Sequence, residues 1–334
     1  MPTINVHHAA FHIKTSGPLG DPVDATLPDG TTKKYRPQVG ISGVDAVMRS
    51  AARDAWERGG TRYIQVLVDL LCAQIAVAAG NIPNSENALL VFNAPEFLFK
   101  DSPRHDKSKT VYGPPFPYDA FYNGMEYLKR KLLELCDGPA LGHRTLLLCG
   151  GTVWWYQPDH ATGQAIVHNT APVFDSSSRR MYHLEKHSAS RIDGLHVNAS
   201  EVWDRETEST AAIWAQVDAL HPQEPVVVRP KAGGELRAGI EICLDFINGR
   251  LARSLASTGT TVDLQVVTAC GAPYRPDSTS YCGRLFLRCD GMAPDSTTAT
   301  VHDGHPDDGG AGPQLHKVAD GVAIAIYPSK AITV

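Results

Sequence analysis

Residues 235–259 constrain the fold more than any other segment, because a strand pattern runs into a helix pattern across a short turn. Every second residue over 236–242 is apolar, and this period of two is typical of a strand with two distinct faces. A helical pattern begins at Asn248 and ends at Gly259. The segment therefore predicts a strand–turn–helix corner with Cys243 at the carboxyl end of the strand.

The position of Cys243 allows two interpretations. Open α/β sheets place ligands and chemistry at the carboxyl ends of their strands, and tight strand–turn–helix corners expose nucleophiles in several hydrolases. Free cysteines are also commonly buried in cores, where they only pack. The corner alone does not decide between a nucleophile and a packed thiol.

The order of the other patterns indicates the architecture. Strand patterns alternate with helix patterns early in the chain, and a hairpin follows in the middle. This order predicts either a mixed-sheet α/β or a layered α+β architecture, and with no clear linker we expect a single domain over 1–334. Strands are predicted at 3–13, 88–93, 144–156, 165–174, 181–186, 235–243, 262–269, 284–288 and 322–327, helices at 42–59, 61–79, 118–136 and from 248, and loops at 15–40, 101–116 and, as an irregular surface loop, 290–315.

The composition narrows the class of protein. Of 334 residues, 43% are hydrophobic and 20% are charged, which is ordinary for a globular enzyme. A net charge of −5 and the lack of a basic patch or binding motif argue against a nucleic-acid partner. The chain shows no signal-peptide pattern, and its most apolar window, 61–79, contains Asp69 and two glutamines, so we expect no membrane span. Seven scattered cysteines favour reduced thiols and a cytoplasmic location.

Two more polar residues end apolar strand patterns. Glu96 closes the run ALLVFNAPE, and burial there would raise its pKa towards the range of a general base. Lys186 closes MYHLEK, where a desolvated ammonium could stabilise an oxyanion. Taken alone, each residue fits a solvated strand end better than a catalytic role. Together with Cys243 they supply a base, an electrostatic stabiliser and a nucleophile, and a thiol needs such partners because its free pKa is about 8.5.

These segments resemble the nitrilase or carbon–nitrogen hydrolase superfamily, whose triad is Glu-Lys-Cys. The resemblance covers most of 85–270, with the catalytic motifs inside 88–270. It rests on Pro95-Glu96 after an apolar strand, Gly150-Gly151, the segment HNTAPVFD at 168–175, Lys186 eleven residues after Asp175, Cys243-Leu244-Asp245, and the helix positions Arg253, Leu255, Ala256 and Gly259.

The chain departs from the family pattern at two motifs. Phe246-Ile247-Asn248 stands where the family has F-P-E, and 183–187 differs from the usual lysine segment. The stretch over 13–40 is also longer than usual. These departures bear on the substrate rather than on the chemistry.

The resemblance implies a four-layer αββα sandwich and a hydrolase of small non-peptide C–N bonds. Glu96, Lys186 and Cys243 would form the triad, with the backbone N–H of Leu244 as an oxyanion donor. The substrate would be a small amide or nitrile, no cofactor or metal would be needed, and the protein would form a homodimer or larger homo-oligomer. Amide hydrolysis is favoured, while nitrile hydrolysis, carbamoyl-amine hydrolysis and acyl transfer stay open, as does a catalytically silent scaffold or binding protein.

Other candidate residues are less determined. Family members often use a second glutamate after the lysine, for which Glu201 is the candidate and Asp193 and Glu206 compete. Trp154 either walls the pocket or packs in the core. Tyr274 and Arg275 either touch the substrate or form a surface turn.

Histidines raise two alternatives. His168 or His187 could pair with Cys243 as a Cys-His dyad, which the Glu96 and Lys186 segments make less attractive. His7-His8 and the run 301–308 contain metal-ligand residue types but lack a ligand spacing, so we expect no metal.

Overall fold

The computed structural model describes most of the chain. The described residues are 1–13, 15, 23–26, 32–35, 60–99, 116–158, 165–188, 223–277, 280–292, 295–307, 309, 311–319 and 322–334.

Strands dominate the described residues. The strands are β1 (Thr3–Ile13), β2 (Val23–Thr26), β3 (Thr32–Tyr35), β4 (Ala88–Ala94), β5 (Phe116–Pro117), β6 (Thr145–Gly150), β7 (Val153–Pro158), β8 (Ala165–Asp175), β9 (Arg180–Glu185), β10 (Val226–Val228), β11 (Leu236–Ile242), β12 (Leu264–Ala269), β13 (Leu285–Asp290), β14 (Asp295–His302), β15 (His305–Asp307), β16 (Gln314–Ala319), β17 (Val322–Ile326) and β18 (Lys330–Thr333). The helices are α1 (Gly60–Gly80), α2 (Tyr118–Asp137), α3 (Leu244–Ile247) and α4 (Arg250–Thr258).

Two mixed sheets carry the fold. The larger sheet runs in the order β16-β17-β1-β4-β6-β8-β7-β5, with β18 on β1 and β9 on β8. The smaller sheet runs β10-β11-β12-β13-β14-β15, and β2 and β3 form a separate hairpin. The neighbours β1, β4 and β6 are parallel, as are β11, β12 and β13. Their carboxyl ends therefore meet at one edge of each sheet, where the candidate residues lie.

The two sheets pack face to face, with helices outside. Val91 and Leu147 of the larger sheet share a buried cluster with Ile240 and Val266 of the smaller sheet. The alternate side chains of the larger sheet pack instead against α1 and α2. Leu251 of α4 covers the outer face of β11 at a glycine, where a side chain would collide with it. This confirms the predicted four-layer αββα sandwich.

Helix α1 is buried at most positions over 64–80, and Asp69, Ala73 and Val77 are exposed. Among the described helices, none combines the length and the apolar composition that crossing a membrane requires.

The prediction of an irregular loop over 290–315 is wrong. Strands β14 and β15 pair antiparallel within it, β14 also pairs with β13, and β16 begins at its end. The buried residues of β14 are Thr297, Ala299 and Val301, at a period of two. The prediction relied on the glycine and aspartate residues at the turns, which are typical of loops. The β-branched side chains between them favour a strand.

The predicted strand over 144–156 is divided in two by its glycine pair. Gly150 and Gly151 have φ of 90° and 71°, which side chains rarely tolerate. A Cβ at Gly150 would overlap the carbonyl oxygen of Ala94 and the hydroxyl of Thr268, so only glycine lets these backbones approach.

Other differences are smaller. The hairpin of β2 and β3 lies inside the loop predicted over 15–40. The nucleophile corner contains the short helix α3 before α4, instead of one helix from 248. The predicted helix over 42–59 and nearly all of the predicted loop over 101–116 fall outside the described residues.

Candidate active site

Glu96 is buried just beyond the end of β4. Its backbone N–H donates to the carbonyl of Ala269 at 3.2 Å, which ties the larger sheet to the end of β12. The next residue, Phe97, has φ of 62° and donates its N–H to the Thr152 hydroxyl at 2.8 Å. The turn is thus held on both sides, and the carboxylate of Glu96 points into the protein rather than to solvent.

A buried ion pair joins Glu96 to Lys186. The Lys186 Nζ lies 2.8 Å from Glu96 Oε1, and the two side chains are 2% and 1% exposed. Asn169 of β8 donates its side-chain N–H to the same oxygen at 2.9 Å. The backbone carbonyl of Asn169 accepts the backbone N–H of Lys186 at 2.9 Å, so one asparagine orients both members of the pair. Charges this deeply buried persist only when paired and hydrogen-bonded.

The backbone of Cys243 is strained. Its φ of 46° and ψ of −100° are unusual for a residue with a side chain, and such conformations cost about 1–3 kcal/mol and cluster at functional sites. The N–H of Cys243 donates to Thr268 at 2.9 Å, and its Sγ lies 3.7 Å from the carbonyl of Cys270. Cys243 is 5% exposed and stands directly before α3. The first N–H groups of a helix have no acceptor within the helix.

The carboxyl end of β12 connects the two sides of the site. Glu96 contacts Ala269, while Cys243 contacts Thr268 on one side and Cys270 on the other. Asn93 and Thr268 add hydrogen bonds between β4 and β12. The predicted base and the predicted nucleophile therefore border the same three residues of β12 and its end.

A second buried ion pair supports the wall of the site after Cys270. The Asp290 carboxylate accepts the N–H of Gly271 at 3.0 Å, and Arg288 donates to the carbonyl of Ala272 at 2.7 Å. Arg288 and Asp290 also pair with each other at 3.2 Å. This arrangement fixes the backbone turn that carries the carbonyl facing Cys243.

The other predicted site residues have different outcomes. Trp154 is buried and packs with Phe97 and Cys270, next to the carbonyl that faces Cys243. Tyr274 packs against the apolar cluster that contains Cys243, whereas Arg275 is exposed. Glu201 and its competitors Asp193 and Glu206 lie outside the described residues.

The imidazole of His168 has a partner other than Cys243. His168 Nδ1 lies 2.6 Å from Glu185 and its ring stacks on Trp155 at 4.2 Å, while the backbone N–H of His187 donates to Asp245. Over the part of the chain that the structure describes, no three His, Cys, Asp or Glu side chains converge as metal ligands.

Sequence reasoning assigned no role to Asn169 or Asp245. Both stand inside the quoted segments HNTAPVFD and Cys243-Leu244-Asp245, so the motif itself was the available signal. Their hydrogen bonds to Glu96 and to the backbone after Lys186 appear only in the tertiary structure.

Glu241 is a buried carboxyl two residues before Cys243. It accepts the Leu251 N–H at 3.0 Å and the Gln265 amide at 2.7 Å. Desolvation raises its pKa from 4.5 to about 7, with a further rise from Asp245 and opposing contributions from these hydrogen bonds and from Arg250. The carboxyl thus changes charge near neutral pH at the junction of β11 and α4.

We expect Glu241 to make the protein less stable as pH rises from 4.5 to 7, because the folded state binds its proton more tightly than the unfolded state does. The contribution to the free energy of unfolding should fall by about 3 kcal/mol across this interval. Urea unfolding at several pH values, compared between wild type and Glu241→Gln, measures it. Parallel curves for the two proteins would contradict the prediction.

The described residues thus form an αββα protein in which a strained cysteine and a buried carboxylate–ammonium pair border the same end of β12. No family model and no curated protein matches the chain. Solved structures similar to it include amidases of the nitrilase superfamily, the family that the sequence motifs resemble.

Three of these structures illustrate the similarity. A cysteine-to-serine mutant of the Nesterenkonia AN1 amidase from the nitrilase superfamily has a TM-score of 0.44 and 12% identity over 97% of this chain and 92% of its own. A double mutant of the amidase from Nesterenkonia sp. AN1, in complex with acrylamide, has a TM-score of 0.42 and 12% identity over 97% and 91%. An N-terminal amidase with a Gln-Val peptide has a TM-score of 0.34 and 10% identity over 80% and 48%.

Proposed function

We propose that the protein hydrolyses a small non-peptide amide through a thioester on Cys243. The observation that carries this proposal is the fully buried Glu96–Lys186 pair, which borders the same end of β12 as the strained cysteine. Keeping two charges out of water is costly, and a structural core does not require it. A thiol nucleophile does require a base and a positive charge nearby.

In the first half-reaction, the Glu96 carboxylate takes the proton of the Cys243 thiol. The sulfur lone pair bonds to the amide carbon, and the C=O electrons move onto oxygen. Lys186 Nζ and the Leu244 N–H stabilise that oxyanion, each such donor being worth about 3 kcal/mol of the barrier. The C=O bond then re-forms, the C–N bond breaks, and Glu96 returns its proton to the leaving nitrogen.

In the second half-reaction, water replaces the amine. Glu96 takes a proton from water as the water oxygen attacks the thioester carbon. Collapse of the tetrahedral adduct breaks the C–S bond, and Glu96 returns the proton to the sulfur. The products are a carboxylic acid and ammonia or an amine. Asn169 holds the Glu96 oxygen that Lys186 also binds, so the carboxylate keeps one orientation through both proton transfers.

Thiol reactivity separates this proposal from a silent scaffold. Burial raises the pKa of Cys136 to about 11 and of Cys72 to about 12, and it also raises the pKa of Cys149, Cys282 and Cys289. These thiols are poorly ionised at neutral pH. Alkylation at Cys243 should therefore be selective if the site activates it.

A substrate panel tests the proposed reaction. We expect ammonia release from acetamide or acrylamide at pH 7–8. The fraction of activity lost on treatment with iodoacetamide should equal the fraction of Cys243 that is alkylated. Nitriles, carbamoyl amines and hydroxylamine as an acyl acceptor distinguish the alternatives on the same fold. No turnover in any arm, with equal labelling of all accessible thiols, would favour the scaffold and reject the enzyme.

A further inference from the structure

The carboxylate of Asp245 connects the segment that carries the thiol to the segment that carries the ammonium. Its Oδ1 accepts the Ser188 N–H at 2.7 Å, and its Oδ2 accepts the His187 N–H at 3.1 Å. Asp245 follows Cys243 by two residues, and His187 directly follows Lys186. We call these two hydrogen bonds the Asp245 bridge.

The bridge begins where the strand ladder ends. Strand β9 stops at Glu185, and the Lys186 N–H makes the last bond to β8, at Asn169. The next two backbone N–H groups donate to Asp245 instead. The backbone on the carboxyl side of Lys186 is thus positioned by α3, which follows β11 of the smaller sheet, rather than by the larger sheet that contains β9.

Burial makes the bridge strong. Asp245 is 2% exposed and Ser188 is 1% exposed, so water does not compete for the hydrogen bond between them, while the His187 bond is partly buried. Bonds from N–H groups to a carboxylate are roughly twice as strong as those between neutral groups. Asn248 adds a side-chain bond to the Ser188 hydroxyl at 3.1 Å, one helical turn beyond Asp245.

We propose that Asp245 is a positioning residue that sets the place of the Lys186 ammonium relative to the Cys243 thiol. The inference rests on the proposed function, since it matters only if the Lys186 ammonium stabilises the Cys243 thiolate before it stabilises the oxyanion. Misplacement of a catalytic group by about 1 Å can cost about 100-fold in rate. Loss of the bridge should therefore weaken thiol activation without removing any group of the triad.

Asp175 provides a matched control. It is as buried as Asp245, and it too accepts two backbone N–H groups, from Ser177 at 2.9 Å and Ser178 at 3.1 Å. It does so in the turn between β8 and β9, away from Lys186. Asp175→Asn therefore makes the same chemical change at a carboxylate with the same structural task.

The test is the pH–rate profile of Cys243 alkylation by iodoacetamide, read at each cysteine by mass spectrometry. We expect Lys186→Met and Asp245→Asn both to move the midpoint of the profile upward by about 1 pH unit, and Asp175→Asn to leave it unchanged. With a substrate, Asp245→Asn should lower kcat about 10–100-fold with little change in KM. Asn248→Ala, a milder change, should shift the midpoint in the same direction by less.

The outcomes separate the two proposals. If Asp245→Asn matches Asp175→Asn while Lys186→Met shifts the profile, the positioning role of Asp245 is overturned and the triad stands. If Lys186→Met also leaves the profile unchanged, both the role of Lys186 and the bridge that acts through it are overturned. Should Asp245→Asn fail to fold, an unshifted Asn248→Ala profile overturns the positioning role.

Discussion

Cys243→Ala should lose at least about 10⁴-fold in kcat/KM while the protein keeps its fold, because only the sulfur is removed and the strained backbone remains. The free energy of unfolding should change by about 1 kcal/mol or less, since a buried thiol contributes a small apolar volume. Ammonia release and a thermal unfolding curve on the same sample measure both quantities.

The control for this substitution is Cys282→Ala. Cys282 is partly buried, packs near α4, and donates its backbone N–H to Gln265, so its thiol is not part of the site. We expect this variant to keep turnover within about threefold of wild type, as surface and peripheral changes usually do. Near-normal turnover by Cys243→Ala would rule out the thioester mechanism.

The second large effect concerns the Glu96–Lys186 pair. Lys186→Met leaves the Glu96 carboxylate buried without its cation, which should cost about 3–5 kcal/mol of stability as well as the activity. Replacing both residues, as Glu96→Leu with Lys186→Met, removes the uncompensated charge. The double variant should regain most of the stability and stay inactive, because a buried pair adds little net stability over apolar residues.

An exposed pair on the same protein is the comparison. Arg179 and Asp137 meet at 2.7 Å, but their side chains are 49% and 64% exposed. Arg179→Met should therefore cause a far smaller loss, since water replaces the lost partner. Chemical denaturation of wild type and the three variants measures this. A double variant no more stable than Lys186→Met would show that the Glu96–Lys186 pair itself stabilises the fold.

Several elements could be predicted from the sequence because their signals are local. The all-apolar run of β4, the helical period of α2 and the hairpin of β8 and β9 each repeat a pattern over neighbouring residues. Boundaries agreed within a residue or two for these elements. The prediction failed over 290–315, where short strands gain their stability from pairing with β13 rather than from their own composition.

Some features of the candidate site were also predictable from local sequence patterns, and others were not. The sequence alone placed Cys243, Glu96 and Lys186 each at the end of a strand, since an alternating or apolar run followed by a turn is visible in a short window. Resemblance to a known family then grouped them, and their roles stay predictions. Nothing local pointed to Asn169 holding Glu96, or to the pairing of Arg288 with Asp290 behind the Gly271 turn.

What the sequence by itself determined is the strand–turn–helix corner and the chemical types of the groups that end the strands. Only the tertiary structure decided that a carboxylate and an ammonium ninety residues apart share a buried contact, and that Asp245 connects the lysine segment to the cysteine segment. The physical reason is that periodicity depends on neighbours along the chain. A salt bridge or a bond between sheets depends on which distant segments the packing of the sandwich brings together.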